Sequence, residues 1–187
     1  MHSQSPVRVL GISGSLRRNS YNAALLRAAQ ELAPDGMAID AFDLTPIPFY
    51  NDDVRLQGFP PAVEEFRMKI RQADALLFVT PEYNRSIPGV LKNAIDWASR
   101  APDQPFDDKP VAIMGASLSA LGTVAANHHL RQILVYLNAQ MLNGPEVLAG
   151  GAAAKFDEAG RLVDDTTRSF VQNHLSRLMH LVLRLKG

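Results

Sequence analysis

The side chains most able to do chemistry in this sequence begin in a polar loop, SGSLRRNS, at residues 13–20. The loop follows the short apolar run VRVLGI and precedes a segment with the apolar spacing of a helix. Its polar side chains are those of Ser13, Ser15, Arg17, Arg18, Asn19 and Ser20. Hydroxyl donors, positive charge and the unpaired amides of a helix N-terminus, capped by Asn19 or Ser20, favour anions. Together they predict a binding site for a phosphate group.

This loop matches neither of the common nucleotide-binding motifs. It lacks GxxxxGK[ST], which supplies a lysine and a hydroxyl to a triphosphate with magnesium, and it lacks the GxGxxG of dinucleotide sites. Many hydroxyl donors without a metal suit a terminal monophosphate dianion, such as that of FMN. A solvated turn with an ordinary helix cap stays open as the alternative.

Two further polar loops follow predicted strands. Residues 81–86, PEYNRS, combine a proline, an acid, a tyrosine and an amide, and residues 117–122 carry the hydroxyls of Ser117 and Ser119 beside small residues. A flat heteroaromatic ring needs a plane to stack on, and donors and acceptors along its polar edge. The PEYNRS loop at residues 81–86 therefore predicts a ring-binding site. The alternative is that both loops only turn the chain into helices, the first one capped by Ser86.

The elements that must position these loops alternate along the chain. Apolar runs predict five strands, and 3.6-residue spacing predicts the helices between them. The strands are predicted at residues 7–12, 37–44, 73–80, 110–116 and 140–147, and the helices at 21–32, about 63–70, 88–99, 124–137 and a last helix ending near 185. Residues 51–55 are predicted to be irregular, and residues 148–164 a loop with mobile parts.

This alternation predicts an α/β fold with right-handed crossovers and helices on both faces of a parallel sheet. With 187 residues, we expect a single domain, a flavodoxin-like three-layer sandwich whose five-stranded sheet has the order 2-1-3-4-5. Ligands of such sheets lie at the carboxyl ends of the strands, beside the switch between strands 1 and 3. The three polar loops fall at that edge.

Composition excludes several classes of function. The chain has 19 basic and 19 acidic residues and no cysteine. Nucleic acid and membrane are therefore not expected as partners, and any redox chemistry needs a bound cofactor. No apolar run reaches membrane-spanning length, and the first residues, MHSQSP, lack a signal-peptide core, so we expect a cytoplasmic protein.

Other conspicuous residues favour structural roles. Trp97 among apolar neighbours is typical of packing, and Asp52 and Asp53 are typical of a solvated turn. His128 and His129 are adjacent on a predicted helix, so they point about 100° apart and cannot chelate one ion. We therefore predict no metal site. G-x-S-x-G is absent, which gives hydrolase chemistry little support.

Three segments carry a resemblance to a known family. They are GSLRRNSYN at residues 14–22, PEYNRSIPGVLKNAIDWASR at 81–100 and HLRQIL at 129–134. They resemble the NADPH-dependent FMN reductase family, close to its chromate and quinone reductase branch, and the likeness extends over residues 7–146. Two positions depart from the pattern: Arg85 stands where relatives often carry an aromatic residue, and Asn19 where they often carry glycine.

The resemblance implies which residues hold the cofactor. In the family the first loop binds the FMN phosphate, and the PEYN loop flanks the isoalloxazine. The implied residues are Ser15, Arg17, Ser20, Tyr21 and Asn22 for the first loop, Pro81, Glu82, Tyr83 and Asn84 for the second, and Ser117 in the loop after strand 4. No catalytic side chain is implied, because the flavin does the chemistry.

The expected function is therefore that of an NAD(P)H-dependent oxidoreductase with FMN. It would pass electrons to a small-molecule acceptor: a quinone, an azo compound, free flavin or a metal oxyanion such as chromate. The resemblance also implies a dimer or tetramer. Two alternatives are a flavodoxin-type electron carrier without its own nicotinamide site and an FMN-free protein of the same fold. A net charge of zero argues against the electron carrier, because carriers of that type tend to be strongly acidic.

Overall fold

A parallel sheet runs through the centre of the protein, whose computed structural model describes residues 5–187. The strands are β1 (Val7–Ser13), β2 (Met37–Phe42), β3 (Ala75–Val79), β4 (Pro110–Ala116), β5 (Gln140–Met141) and β6 (Val147–Ala149). Their order is β2-β1-β3-β4-β5, with β6 also paired to β4. The predicted flavodoxin-like order is confirmed. Residues 1–4, part of the segment judged to lack a signal peptide, lie outside the described residues.

The helices lie on both faces of this sheet. They are α1 (Tyr21–Glu31), α2 (Asp52–Arg55), α3 (Pro61–Gln72), α4 (Gly89–Ala98), α5 (Val124–Tyr136) and α6 (Asp165–Lys186). One core packs α1 and α6 on the sheet, and a second packs α3, α4 and α5 on its other side. Alternation along β3 supplies both cores, because Leu77 faces the first and Leu76 and Phe78 face the second. No helix within residues 5–187 is long and apolar enough to span a bilayer.

The predicted strand at residues 140–147 is wrong in extent, because it is two short strands. β5 pairs with Pro110 and Val111 at the start of β4, whereas β6 pairs with residues 114–116 at its end. Between them the chain leaves the edge of β4 through Asn143, Gly144 and Pro145. Proline has no amide to donate to a sheet, and this explains the interruption.

Two segments predicted to be irregular contain short helical turns. Residues 52–55 form α2, because Asn51 accepts a hydrogen bond from Asp53 N (2.9 Å) as its N-cap, with acidic residues in the first turn and Arg55 in the last. Within residues 148–164, β6 extends to Ala149 and a 3₁₀ turn follows at Ala152–Ala154.

Candidate functional site

The loop predicted to bind phosphate joins the carboxyl end of β1 to the start of α1. Ser20 is the N-cap of α1, and its Oγ accepts hydrogen bonds from Asn22 N (3.1 Å) and Ala23 N (3.4 Å). The hydroxyl proton is still available, so Ser20 can donate to an anion at the helix end while it caps the helix. Helix N-termini also present unpaired amides and partial positive charge.

Ser15 and Arg17 lie in the same loop. Backbone amides of the loop donate to Ser13 Oγ and Ser15 Oγ at 3.3 and 3.4 Å, so the serines fold the loop as well as lining it. The Arg17 guanidinium is exposed and donates to Asn19 O (3.1 Å). In the described part of the chain neither Arg17 nor Arg18 forms an ion pair with a carboxylate. Their charge is therefore available to an anion.

Two glycines bring the neighbouring strand ends close together beneath this loop. A Cβ on Gly14 would lie 2.7 Å from Thr80 Oγ1, and one on Gly115 would lie 2.3 Å from the Thr80 carbonyl oxygen. Real side chains do not tolerate such contacts, so only glycine fits at either position. The carboxyl ends of β1, β3 and β4 are therefore closely packed against one another below the three polar loops.

Two of the residues that resemblance assigns to the first loop are already engaged. The Asn22 side chain is buried and exchanges two hydrogen bonds with the main chain of Ala116. The Tyr21 ring packs against Phe156, with 5.3 Å between ring centroids. These side chains fix α1 to its surroundings, and what Tyr21 can offer to an anion is its backbone amide at the helix N-terminus.

The PEYN loop forms a small hairpin, which we call the 81–86 hairpin. Tyr83 N donates to Ser86 O (2.9 Å) and Ser86 N donates to Tyr83 O (3.0 Å). The two residues between them have positive φ, 51° at Asn84 and 62° at Arg85, the pattern of a type I′ turn. The Tyr83 ring is half exposed, at 50%. The hairpin therefore presents an aromatic face and main-chain polar groups beside the phosphate loop.

The Glu82 side chain reaches from the hairpin to the N-terminus of helix α5. Its Oε2 accepts hydrogen bonds from Ala125 N (2.9 Å) and Ala126 N (3.2 Å), in the first turn of α5. Thr123, the N-cap of that helix, makes no side-chain capping bond. Sequence reasoning missed this role, because the cap comes from 43 residues upstream. Nor is Ser86 the cap of α4: it contacts His129, and Pro88 occupies the N-cap position.

Ser117 lies at the carboxyl end of β4, where the loop is fixed by the segment after β6. Ser117 N donates to Ala149 O (3.0 Å), and Gly151 N donates to Ser119 O (3.1 Å). Gly150 fits only without a side chain, because its Cβ would lie 2.5 Å from Ala120 O. Part of the segment predicted to be mobile therefore supports the third loop.

The other conspicuous side chains lie outside this constellation. Trp97 is fully buried and donates from Nε1 to Pro48 O (2.8 Å), so the packing interpretation is confirmed. Asp52 pairs with Arg55 and accepts from Tyr50 OH, and these hydrogen bonds lower its pKa to about 2. It is therefore an ionised surface group and not a proton donor near neutral pH.

Comparison with known proteins decides the family. Residues 7–154 match the family model described as NADPH-dependent FMN reductase. The chain belongs to the NADPH-dependent FMN reductase family. It is 58% identical over 181 residues to an NAD(P)H-dependent FMN reductase of Pseudomonas aeruginosa, covering 97% of this chain and 98% of the relative. It is 42% identical over 183 residues to a quinone reductase of Escherichia coli, covering 96% and 97%.

A solved structure supports the same assignment for this FMN reductase. The FerB flavoenzyme of Paracoccus denitrificans, an NAD(P)H:(acceptor) oxidoreductase, superposes with a TM-score of 0.86 at 32% identity, covering 95% of this chain and 97% of that one. The protein is thus an oxidoreductase that uses FMN and NAD(P)H.

The residues present fit FMN. A phosphate dianion needs several donors and no metal, and the first loop offers hydroxyls, a free guanidinium and a helix N-terminus. No group of three or more histidine, aspartate or glutamate side chains in the described part of the chain is placed to hold a metal ion. The 81–86 hairpin beside that loop offers a ring its main-chain polar groups.

Proposed function

We propose that this FMN reductase reduces a quinone by two electrons at the expense of NAD(P)H. The balanced reaction is NAD(P)H + H⁺ + quinone → NAD(P)⁺ + hydroquinone. The relatives named quinone reductase support a quinone as acceptor. Azo compounds, free flavin and oxyanions such as chromate are further acceptors that the sequence predicts.

One observation carries this proposal: the phosphate donors and a polar hairpin lie at adjacent carboxyl ends, those of the paired strands β1 and β3. We assign the phosphate of FMN to Ser15, Arg17, Ser20 and the α1 N-terminus, with Tyr21 contributing its amide. The ring is assigned to Pro81, Tyr83 and Asn84, with Ser117 at its border. When bound, FMN accepts the hydride and passes on the electrons, chemistry that no side chain of this chain supplies.

The chain itself positions the reactants. Hydride transfer needs the nicotinamide stacked close to the ring. The exposed Tyr83 and Arg85 of the 81–86 hairpin are the residues we assign to contact with the nicotinamide nucleotide. Arg18, exposed and without an ion pair among the described residues, is the candidate for the extra phosphate of NADPH. We propose that the nicotinamide and the acceptor bind in turn on the same face of the flavin.

We also propose self-association as at least a dimer, in the cytoplasm. Helix α5 exposes Val135 (62%) and Tyr136 (88%), large apolar side chains that solvent alone would leave uncovered. Helix α4 does not add to this surface, because it buries nearly all of its apolar side chains. Light scattering at micromolar concentration tests the assembly, and a fully active monomer would contradict it.

The function is tested by NAD(P)H oxidation with a panel of acceptors. Purified holoprotein is mixed with NADPH or NADH and with a quinone, an azo dye, ferric iron, free FMN or chromate, under exclusion of oxygen. We expect quinone-dependent oxidation and released flavin that runs as FMN in chromatography. Absence of NAD(P)H oxidation with every acceptor, while a partner reductase reduces the protein, would identify an electron carrier instead.

A further inference from the structure

Two side-chain contacts join the 81–86 hairpin to helix α5. On one side of the turn, Glu82 Oε2 accepts from Ala125 N and Ala126 N at 2.9 and 3.2 Å. On the other side, Ser86 Oγ lies 2.7 Å from His129 Nδ1. Neither contact belongs to the sheet or to the hairpin's own hydrogen bonds. The hairpin is therefore attached to α5 on both of its strands.

The two attachment points lie close together at the start of the helix. Glu82 reaches the main-chain amides of Ala125 and Ala126 in the first turn of α5, and His129 follows Ala125 by four residues, about one turn further along. The hairpin is therefore attached to the first two turns of α5. Its tip is held by the positive φ angles of Asn84 and Arg85, so the two contacts at its base fix the direction in which the tip points.

The charge of Glu82 is placed where α5 stabilises it. The side chain is only 13% exposed, and it occupies the positive end of a helix of 13 residues. Arg85 Nη1 is 3.8 Å from the other carboxylate oxygen, Oε1. The carboxylate is thus paired with the helix N-terminus and with Arg85, and both of its oxygens have partners within the protein.

We propose that Glu82 and His129 are positioning residues for the flavin ring, acting through the 81–86 hairpin and touching neither ring nor phosphate. This inference rests on the proposed placement of FMN. Ring recognition by main-chain groups requires those groups to be held within about 0.5 Å of the productive geometry. Loss of either attachment frees the hairpin and weakens ring binding, while the phosphate loop stays intact.

The first experiment separates ring binding from phosphate binding. Glu82→Ala, Glu82→Gln and the control Glu65→Ala, an exposed glutamate on α3, are purified as holoproteins. FMN release is followed by the rise of flavin fluorescence, and riboflavin, which lacks the phosphate, is titrated as competitor. Inorganic phosphate serves as the probe for the first loop.

We expect Glu82→Ala to lower the affinities for FMN and for riboflavin by the same factor, about tenfold. Competition by inorganic phosphate should be unchanged. Glu82→Gln keeps an acceptor oxygen and should restore most of the affinity. Glu65→Ala should match the wild type. Equal flavin affinity in Glu82→Ala and wild type, or weakening of FMN and phosphate together, would overturn the proposal.

The second experiment tests the other attachment by a double-mutant cycle. Ser86→Ala, His129→Leu and the double variant are compared for riboflavin affinity, with His129→Asn as the conservative variant. His128→Ala is the matched control, because the neighbouring histidine lies 3.7 Å from Glu146 and not against the hairpin. Interacting residues give non-additive effects, whereas independent ones add.

We expect the double variant to lose no more affinity than either single variant, His129→Asn to recover part of the loss, and His128→Ala to bind normally. Additive losses, or equal losses in His128→Ala and His129→Leu, would overturn the role of His129. The wild-type protein reports on the proposed function separately: if it binds no flavin at all, that proposal fails, whereas normal wild-type binding with unaffected variants removes only this inference.

Discussion

The Asn22 side chain forms a pair of hydrogen bonds with the main chain of Ala116, 94 residues away. Asn22 Nδ2 donates to Ala116 O at 2.9 Å, and Asn22 Oδ1 accepts from Ala116 N at 2.8 Å. The side-chain amide makes the pair of hydrogen bonds that a neighbouring strand would make with the last residue of β4. It thereby joins β4 to the first turn of α1. It therefore holds the first and third polar loops in register.

Asn22→Leu should destabilise the apoprotein by about 2–4 kcal/mol, because a buried N–H and C=O lose their partners together. Asn22→Asp keeps the acceptor but loses the donor and buries a charge, so it should be no better. Urea unfolding of the two variants and the wild type, without flavin, measures this. A change below about 0.5 kcal/mol in Asn22→Leu would contradict the structural role.

The elements of the fold could be predicted because their signals are local. The continuous apolar run of β3 and the helical spacing of α1 indicate type and order without any knowledge of partners, and the alternation fixes the sheet. The roles of Asn22 and Glu82 could not be predicted, because each depends on a main-chain group that only the folded chain brings near. A motif marks both residues as important and does not say that their side chains face the protein.

Replacing Ser20 and replacing Arg17 should have different effects on the stability of the apoprotein, although both should lower the affinity for FMN. Each side chain donates a charge-assisted hydrogen bond to the proposed phosphate, worth about 1.5–3 kcal/mol. The affinity for FMN should therefore fall roughly ten- to hundredfold in Ser20→Ala and in Arg17→Ala. Ser20→Ala should also destabilise the apoprotein by about 1 kcal/mol, since it removes the α1 cap. Arg17→Ala should leave that stability unchanged.

Fluorescence titration with FMN and with riboflavin, beside thermal unfolding of the apoproteins, measures both quantities. Riboflavin affinity should be nearly the same in the wild type and in Arg17→Ala, because riboflavin offers no phosphate. If FMN affinity is unchanged in both variants, the first loop does not hold the phosphate.

Arg67 should be necessary for stability although it is far from the site. Its side chain is buried, and the guanidinium donates to the carbonyl oxygens of Ala98 and Arg100 (2.7 Å each) and of Pro102, closing the end of α4. Burial lowers its pKa from the ordinary arginine value. Lysine lacks the planar fork, so Arg67→Lys should cost about 3 kcal/mol.

The matched control is Arg71→Lys, one turn along α3, where an exposed arginine pairs with Glu64 at 2.8 Å. Exposed pairs contribute about 0–1 kcal/mol, so this variant should unfold at nearly the same urea concentration as the wild type. Similar midpoints for Arg67→Lys and Arg71→Lys would show that the buried carbonyl contacts contribute little.

His174 should make the stability depend on pH below neutrality. It lies on the buried face of α6, and its Nδ1 is 2.7 Å from Pro145 O. Burial, with a smaller effect from Arg131, lowers its pKa from 6.5 to about 4. The unfolded chain therefore takes up a proton first, and stability present above pH 6.5 is lost as the pH falls toward 4.

Through this group the free energy of unfolding should be about 2 kcal/mol lower at pH 5 than at pH 8. His174→Asn keeps a donor near Nδ1 and does not titrate, so its stability should be flatter over this range. Urea unfolding of both proteins at pH 8, 6 and 5 isolates the contribution, because the carboxylates are common to both. Parallel pH profiles would contradict a neutral buried His174.

The last prediction concerns the order in which NAD(P)H and the acceptor bind, and it separates an enzyme from an electron carrier. If NAD(P)H and acceptor occupy the same face of the flavin in turn, as proposed, initial-rate plots at several fixed quinone concentrations should be parallel, and an excess of either substrate should inhibit. Anaerobic addition of NADPH alone should bleach the visible flavin absorbance within one turnover time. Intersecting rate plots would mean that both substrates bind together. Flavin that stays oxidised with NADPH while a partner reductase reduces it quickly would assign the protein to electron transfer between proteins.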